Sequence, residues 1–105
     1  MTRRFDDKVA FITGGSRGIG KGIAERFAED GAKVAIIDIN EAALSETEAE
    51  FREKGYSILA IQANIVKAEE VEAAMEQVVN TFGSLDILVN NAGIIRDNLL
   101  YKMTD

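Results

Sequence analysis

Short, nearly unbroken apolar runs alternate along this chain with longer stretches whose apolar residues recur every third or fourth position. Lys8 to Thr13, Lys33 to Asp38, Ser57 to Ala63 and Leu85 to Val89 are runs of the first kind. Such runs are the pattern of strands covered on both faces. Gly18 to Asp30, Glu41 to Lys54 and Ala68 to Phe82 are of the second kind, and their spacing predicts helices. Ile19, Ile23, Ala24 and Phe27 share a face of the first; Ala43 or Leu44, Thr47 and Phe51 share a face of the second. Val71, Ala74 or Met75, Val78 and Phe82 do so on the third. Gly31, Gly55 and Gly83 each fall just past a helical run, where a left-handed residue ends a helix, and Asn40 stands at the N-cap of the second. Strand–helix–strand units in series predict an α/β domain with a parallel sheet and right-handed crossovers.

Composition narrows the range of functions. The chain has 105 residues, enough for one domain, and a formal net charge of −6 from 12 basic and 18 acidic residues. With no basic stripe to neutralise phosphates, nucleic-acid and anionic-membrane partners are not expected. Arg3-Arg4 is the lone basic pair and reads as part of a solvated terminus. The sequence contains no Cys and no His, which removes disulfides, thiolate chemistry and the usual zinc ligands, so no metal site is expected. No apolar run approaches the ~20 residues that span a bilayer, and no secretory pattern opens the chain. A cytoplasmic location is the resulting expectation.

The chemistry gathers at one turn. Thr13-Gly14-Gly15-Ser16-Arg17-Gly18-Ile19-Gly20 links the first strand to the first helix. Gly14, Gly18 and Gly20 there would let the backbone approach a pyrophosphate, while the helix N-terminus offers N–H groups and a positive dipole end. Asp38 ends the second strand 18 positions beyond Gly20. That is near the spacing of about 20 expected for a carboxylate that accepts from the adenosine ribose hydroxyls. A competing reading takes Gly15 to Lys21 as the start of an ATP-binding P-loop. The next residue would then have to be Ser or Thr to hold magnesium, and it is Gly22. Lys21 accordingly reads as a solvated residue on the first turn of the helix. Asp38 could also simply open a turn or assist the Asn40 cap. Arg17 could pair with a 2′-phosphate and favour NADP, but Asp38 would repel that phosphate more directly, so NAD is the expected cofactor with NADP as the alternative.

Together with Asn90-Asn91-Ala92-Gly93 at the end of the fourth strand, these residues resemble the cofactor half of the short-chain dehydrogenase/reductase family. The run Asn91 to Leu100 is similar to its 3-oxoacyl-[acyl-carrier-protein] reductase branch. The resemblance spans essentially the whole chain. It implies a three-layer Rossmann-type sheet, here truncated to strand order 3-2-1-4 with three crossover helices, the first two on one face and the third on the other. It implies hydride transfer between nicotinamide and a carbonyl or alcohol, with a 3-oxoacyl thioester as substrate. Ser16, Arg17 and Ile19 would lie around the cofactor, Asn64 and Ile65 beside the adenine, and Asn90, Ala92 and Gly93 along its border, with Asn90 also tying the fourth strand to its neighbours.

The chain departs from the family pattern in three places. Asn64 stands where the family has Asp, although its amide oxygen can still accept from an adenine amino group. Val66 stands where Thr or Ser would precede the third helix, and losing that cap costs about 1 kcal/mol. The family's catalytic Tyr-x-x-x-Lys is missing: Tyr56 is followed by Ala60 and Tyr101 by Asp105 at the Lys position. No catalytic residue is assigned. Thr104-Asp105 reads as the cap of a helix that does not follow, so the chain is expected to be the N-terminal part of a longer design, residues 1–105 forming an incomplete dinucleotide-binding unit. Leu85 to Val89 would become an apolar sheet edge, and a homo-oligomer that buries this edge, or the tail around Leu99, Leu100, Tyr101 and Met103, is expected. Two alternatives remain: a non-catalytic half-Rossmann fragment, engineered or evolved, whose property is folding and assembly, and an enzyme completed by a second polypeptide.

Overall fold

The computed structural model describes residues 5–16 and 18–91. Arg3-Arg4, Arg17, Ala92, Gly93, the apolar cluster at 99–103 and the Thr104-Asp105 cap lie outside the described residues. The elements alternate as β1 (Val9–Thr13), α1 (Gly18–Glu29), β2 (Lys33–Asp38), α2 (Glu41–Glu53), β3 (Ile58–Gln62), α3 (Ala68–Phe82) and β4 (Ile87–Val89). All pairings are parallel, in the order β3-β2-β1-β4.

Two apolar layers sandwich the sheet, because strand residues alternate between its faces. Ala10, Ile12, Val34 and Ile36 pack with Ala24 and Ala28 of α1 and Leu44 and Phe51 of α2. Val9, Phe11, Ala35, Ile37 and Ile61 pack on the opposite face with Val71, Ala74, Met75 and Val78 of α3. The resulting architecture is the expected one, with two helices over one face and one over the other.

The helix ends follow from local chemistry. Asn40 Oδ1 accepts from the Ala43 N–H at 2.9 Å and opens α2. Gly31, Gly55 and Gly83 all have positive φ just beyond their helices. The α3 cap differs from expectation. Its N-cap is Lys67 rather than Val66, and Lys67 makes no side-chain cap hydrogen bond. The entry to α3 is held from outside the cap position: the Glu70 carboxylate accepts from the Asn64 N–H at 2.7 Å, and the Asn64 carbonyl accepts from the Lys67 N–H at 3.0 Å.

The fourth strand is shorter than its apolar run. The Asp86 N–H donates to the Val9 carbonyl at 2.9 Å, but the Val9 N–H goes to Asp86 Oδ2, also at 2.9 Å. A side-chain oxygen thus takes the place of a backbone carbonyl, and regular pairing starts only at Ala10 with Ile87. Ile19, assigned to the core face of α1, is 77% exposed. The buried stripe of α1 runs through Gly20, Ala24 and Ala28 at four-residue spacing, and Ile19 lies off it.

Candidate functional site

The register brings the C-terminal ends of the strands together. Thr13 pairs with Ile37 and Asp38 with Gln62, so the turn after β1 and the end of β2 lie side by side. The Gly14 N–H extends the ladder by donating to the Ile37 carbonyl at 2.7 Å, and the chain then turns at Gly14 (φ +65) and enters α1 at Gly18 (φ +54). Positive φ is costly for any residue with a Cβ, which explains both glycines. Gly18 has nothing within 4 Å of its Cβ position, so the space in front of it is open.

Gly20 is required for a different reason. A Cβ there would lie 2.0 Å from the Gly14 carbonyl oxygen, so the first turn of α1 is seated directly on the loop backbone. Helix amides at this end have no carbonyl partner within the helix. The first turn of α1 contains no acidic side chain to compete for them, whereas α2 and α3 begin with Glu41 and with Glu69 and Glu70. The arrangement fits a pyrophosphate: a close backbone approach, a positive dipole end and open space in front.

Asp38 faces this turn. It is 6% exposed, and its Oδ2 accepts from the Ser16 hydroxyl at 2.5 Å. Its Oδ1 accepts from the Asn40 N–H at 3.2 Å, so the carboxylate also supports the α2 cap, as the alternative reading of this residue held. The structure shows the capping role, and a carboxylate has about four acceptor positions, more than that role uses.

Lys21 does not reach the turn. Its ammonium pairs with Glu50 Oε1 of α2 at 2.8 Å and sits within a charged network that includes Lys54 and Glu25. It is therefore an inter-helix tie rather than a solvated residue. The hydrogen bond from Lys21, more than any other contact, holds the Glu50 carboxyl below its usual range.

The remaining positions divide between the edge of the cradle and its support. Ile19 projects into solvent beside the turn, and Ile39 and Val66, each 59% exposed, follow β2 and β3 at the same end of the sheet. Asn64 is half-buried, and its Oδ1 accepts from the Val66 N–H at 3.1 Å, leaving one lone pair for a further donor. Ile65 packs partly into the α3 layer. Asn90 Oδ1 accepts from the Thr13 hydroxyl at 3.4 Å, which ties β4 to β1.

Three further contributors stand in segments the sequence singled out but were given no role at the turn. Asn91 Nδ2 reaches the Gly14 carbonyl at 3.5 Å and would stand 2.8 Å from a Cβ at Gly20, so it seals the turn from the β4 side. A Cβ at Gly15 would lie 2.6 Å from Ile36 Cγ2, so Gly15 lets the turn rest on β2. Thr47 of α2, 1% exposed, donates its hydroxyl to the Ser16 carbonyl at 3.0 Å.

Comparison with known proteins gives a consistent result. The sequence pattern that defines the short chain dehydrogenase family matches residues 8–105. The chain is 52% identical over 87 residues to a Staphylococcus epidermidis diacetyl reductase [(S)-acetoin forming], covering 83% of this chain and 34% of that protein. It is 50% identical over 99 residues to a Staphylococcus aureus 3-oxoacyl-[acyl-carrier-protein] reductase, covering 93% and 40% respectively. Among solved structures, an Escherichia coli hydroxysteroid dehydrogenase superposes with a TM-score of 0.80 at 39% identity, over 83% of this chain and 37% of that one. A Burkholderia phymatum short chain dehydrogenase/reductase in complex with NAD superposes with a TM-score of 0.78 at 32% identity, over 84% of this chain and 31% of that one. The chain thus spans 31–40% of the length of these relatives.

Proposed function

The chain belongs to the short-chain dehydrogenase family, and from that premise we propose that it is the dinucleotide-binding part of a nicotinamide-dependent reductase. The observation that carries this reading is the joint placement of the seated glycine turn and the Asp38 carboxylate bound to Ser16 within it. Gly14, Gly18 and Gly20 would shape the pyrophosphate cradle, and the first-turn amides of α1 would donate to it. Asp38 would accept from the adenosine ribose hydroxyls. Ile19, Asn64, Ile65 and Asn90 would border the rest, with Arg17, Ala92 and Gly93 completing the set. When bound, the nicotinamide supplies or accepts the hydride; what this chain contributes is binding and orientation.

NAD is the favoured dinucleotide. A 2′-phosphate about 4 Å from the Asp38 carboxylate meets repulsion of about 4 kcal/mol per unit charge at an effective dielectric near 20. The longer protein of which this would be the N-terminal part reduces a carbonyl, a 3-oxoacyl thioester being the substrate class suggested by the acyl-carrier-protein reductase relative. The chain by itself would bind dinucleotide weakly and would not turn over, since no Tyr in it is followed by Lys at the fourth position. This reading carries the cytoplasmic expectation with it.

The test is titration of NADH and NADPH, followed by the fluorescence of the reduced nicotinamide. Saturable NADH binding that is lost in Asp38→Ala supports the reading. Absence of saturable binding to both cofactors overturns it in favour of a half-Rossmann fragment whose property is folding. Preference for NADPH overturns the assignment to NAD.

Self-association belongs to the same reading. β4 is an outer strand of the sheet among the described residues, and Ile87, Leu88 and Val89 are only half-buried. Unpaired strand edges recruit partners, and a two-fold pairing of β4 with its copy would be antiparallel. Sedimentation of the purified chain checks this: a dimer or larger species is expected, and a monomer at micromolar concentration refutes it.

A further inference from the structure

A helix-borne Thr hydroxyl ordinarily bonds back to the carbonyl four residues earlier. Thr47 instead reaches across to the Ser16 carbonyl, 31 positions away in the chain, at 3.0 Å. Ser16 then donates its own hydroxyl to Asp38 Oδ2 at 2.5 Å. Thr47, Ser16 and Asp38 are 1%, 3% and 6% exposed, so this chain of contacts is shielded from water. On its other side the Asp38 carboxylate accepts from the Asn40 N–H at 3.2 Å, and Asn40 caps α2 through Ala43. These two supports of the carboxylate lead into α2, one through its N-cap and one through its middle.

Resting on the dinucleotide reading above, we propose that Thr47 is a positioning residue for cofactor choice. Its hydroxyl fixes the Ser16 peptide, the Ser16 hydroxyl fixes the direction of the Asp38 carboxylate, and that direction sets the preference for an unphosphorylated adenosine ribose. A carboxylate that can rotate away from a 2′-phosphate no longer rejects it, and it also accepts less well from a ribose hydroxyl. Loss of the Thr47 contact therefore weakens NAD and spares NADP. A residue that merely filled space under α2 would weaken both alike.

The experiment compares NADH and NADPH dissociation constants for the 105-residue chain, Thr47→Val, Thr47→Ser, Ser16→Ala and the Thr47→Val/Ser16→Ala pair. Thr47→Val is expected to lower the NADH-over-NADPH preference about fivefold, the equivalent of one ordinary hydrogen bond, and Thr47→Ser is expected to restore it. In the Ser16→Ala background, where the link to Asp38 is already cut, Thr47→Val is expected to leave the ratio unchanged. Thermal unfolding of each variant confirms that a fold remains to be titrated, and Thr47→Ala replaces Thr47→Val if the latter does not fold. An unchanged ratio in the folded variant, or an equal change in the Ser16→Ala background, overturns the proposal while leaving the dinucleotide reading intact. Failure of the parent chain to bind either cofactor overturns both.

Discussion

Replacing Gly20 by Ala tests the seating of α1 on the glycine turn. The added methyl would lie 2.0 Å from the Gly14 carbonyl oxygen and 2.8 Å from both the Gly14 carbonyl carbon and Asn91 Nδ2. Carbon–oxygen contacts settle at about 3.3 Å or more, so helix and loop must separate by more than ~1 Å. Two of the three opposing atoms are backbone, so no change of rotamer relieves the contact. Overpacking of this kind costs about 1–3 kcal/mol, and the clash is at the severe end. The helical preference of Ala returns at most about 1 kcal/mol. The net expectation is a loss of ~2 kcal/mol, or roughly 10 °C in Tm for a domain of this size, together with loss of NADH binding. Gly22→Ala is the matched control. It lies two positions along the same helix, has nothing within 4 Å of its Cβ position, and is expected to gain about 0.5–1 kcal/mol from propensity alone. Far-UV circular dichroism on heating and NADH titration read both variants. If Gly20→Ala were as stable as Gly22→Ala and bound NADH equally well, the close approach of loop and helix, and the cradle built on it, would be refuted.

Three further outcomes follow from the helix surfaces. Lys67→Ser supplies the missing side-chain cap of α3 and should raise stability by about 1 kcal/mol, measured as a shift in the urea midpoint. Glu50 is held below the ordinary 4.5, chiefly by the Lys21 hydrogen bond, so its stabilising contribution is present above that pH and is lost as pH falls through the lowered value. Urea midpoints from neutral pH to below 4.5 should therefore show a shallower acid decline in Glu50→Gln than in the parent chain. Lys54 behaves in the mirror sense. Its pKa is raised above 10.5, first by its hydrogen bond to Glu25, so its contribution is complete below that pH and fades as pH climbs past the raised value.

Much of the architecture was legible because burial on both faces of a parallel sheet demands unbroken apolar strands, and helices laid on that sheet must repeat their apolar positions at helical spacing. β2 and α3 have the bounds their periodicity predicts, and the other helices end within one residue of theirs. β4 is the larger departure, since it begins at Ile87 rather than Leu85. Asp86 is the reason, as its carboxylate displaces a backbone partner of Val9. A hydropathy pattern records that Asp86 is polar; it does not record which amide it will reach.

The same division runs through the candidate site. Glycines at fixed offsets after a strand, and an acidic residue closing the next one, are local facts that the sequence states outright, and they were enough to single out two segments that the sheet register sets side by side. The sequence likewise determined that Asn40 would cap α2, because a cap bonds only three residues ahead. The tertiary structure alone decided that Lys21 would turn to Glu50, that Ile19 would stand clear of the core, and that Asn91 and Thr47 would close upon the turn. Those contacts join positions 29 to 77 residues apart. Their partners are chosen by how helices and strands stack, which no period in the chain encodes.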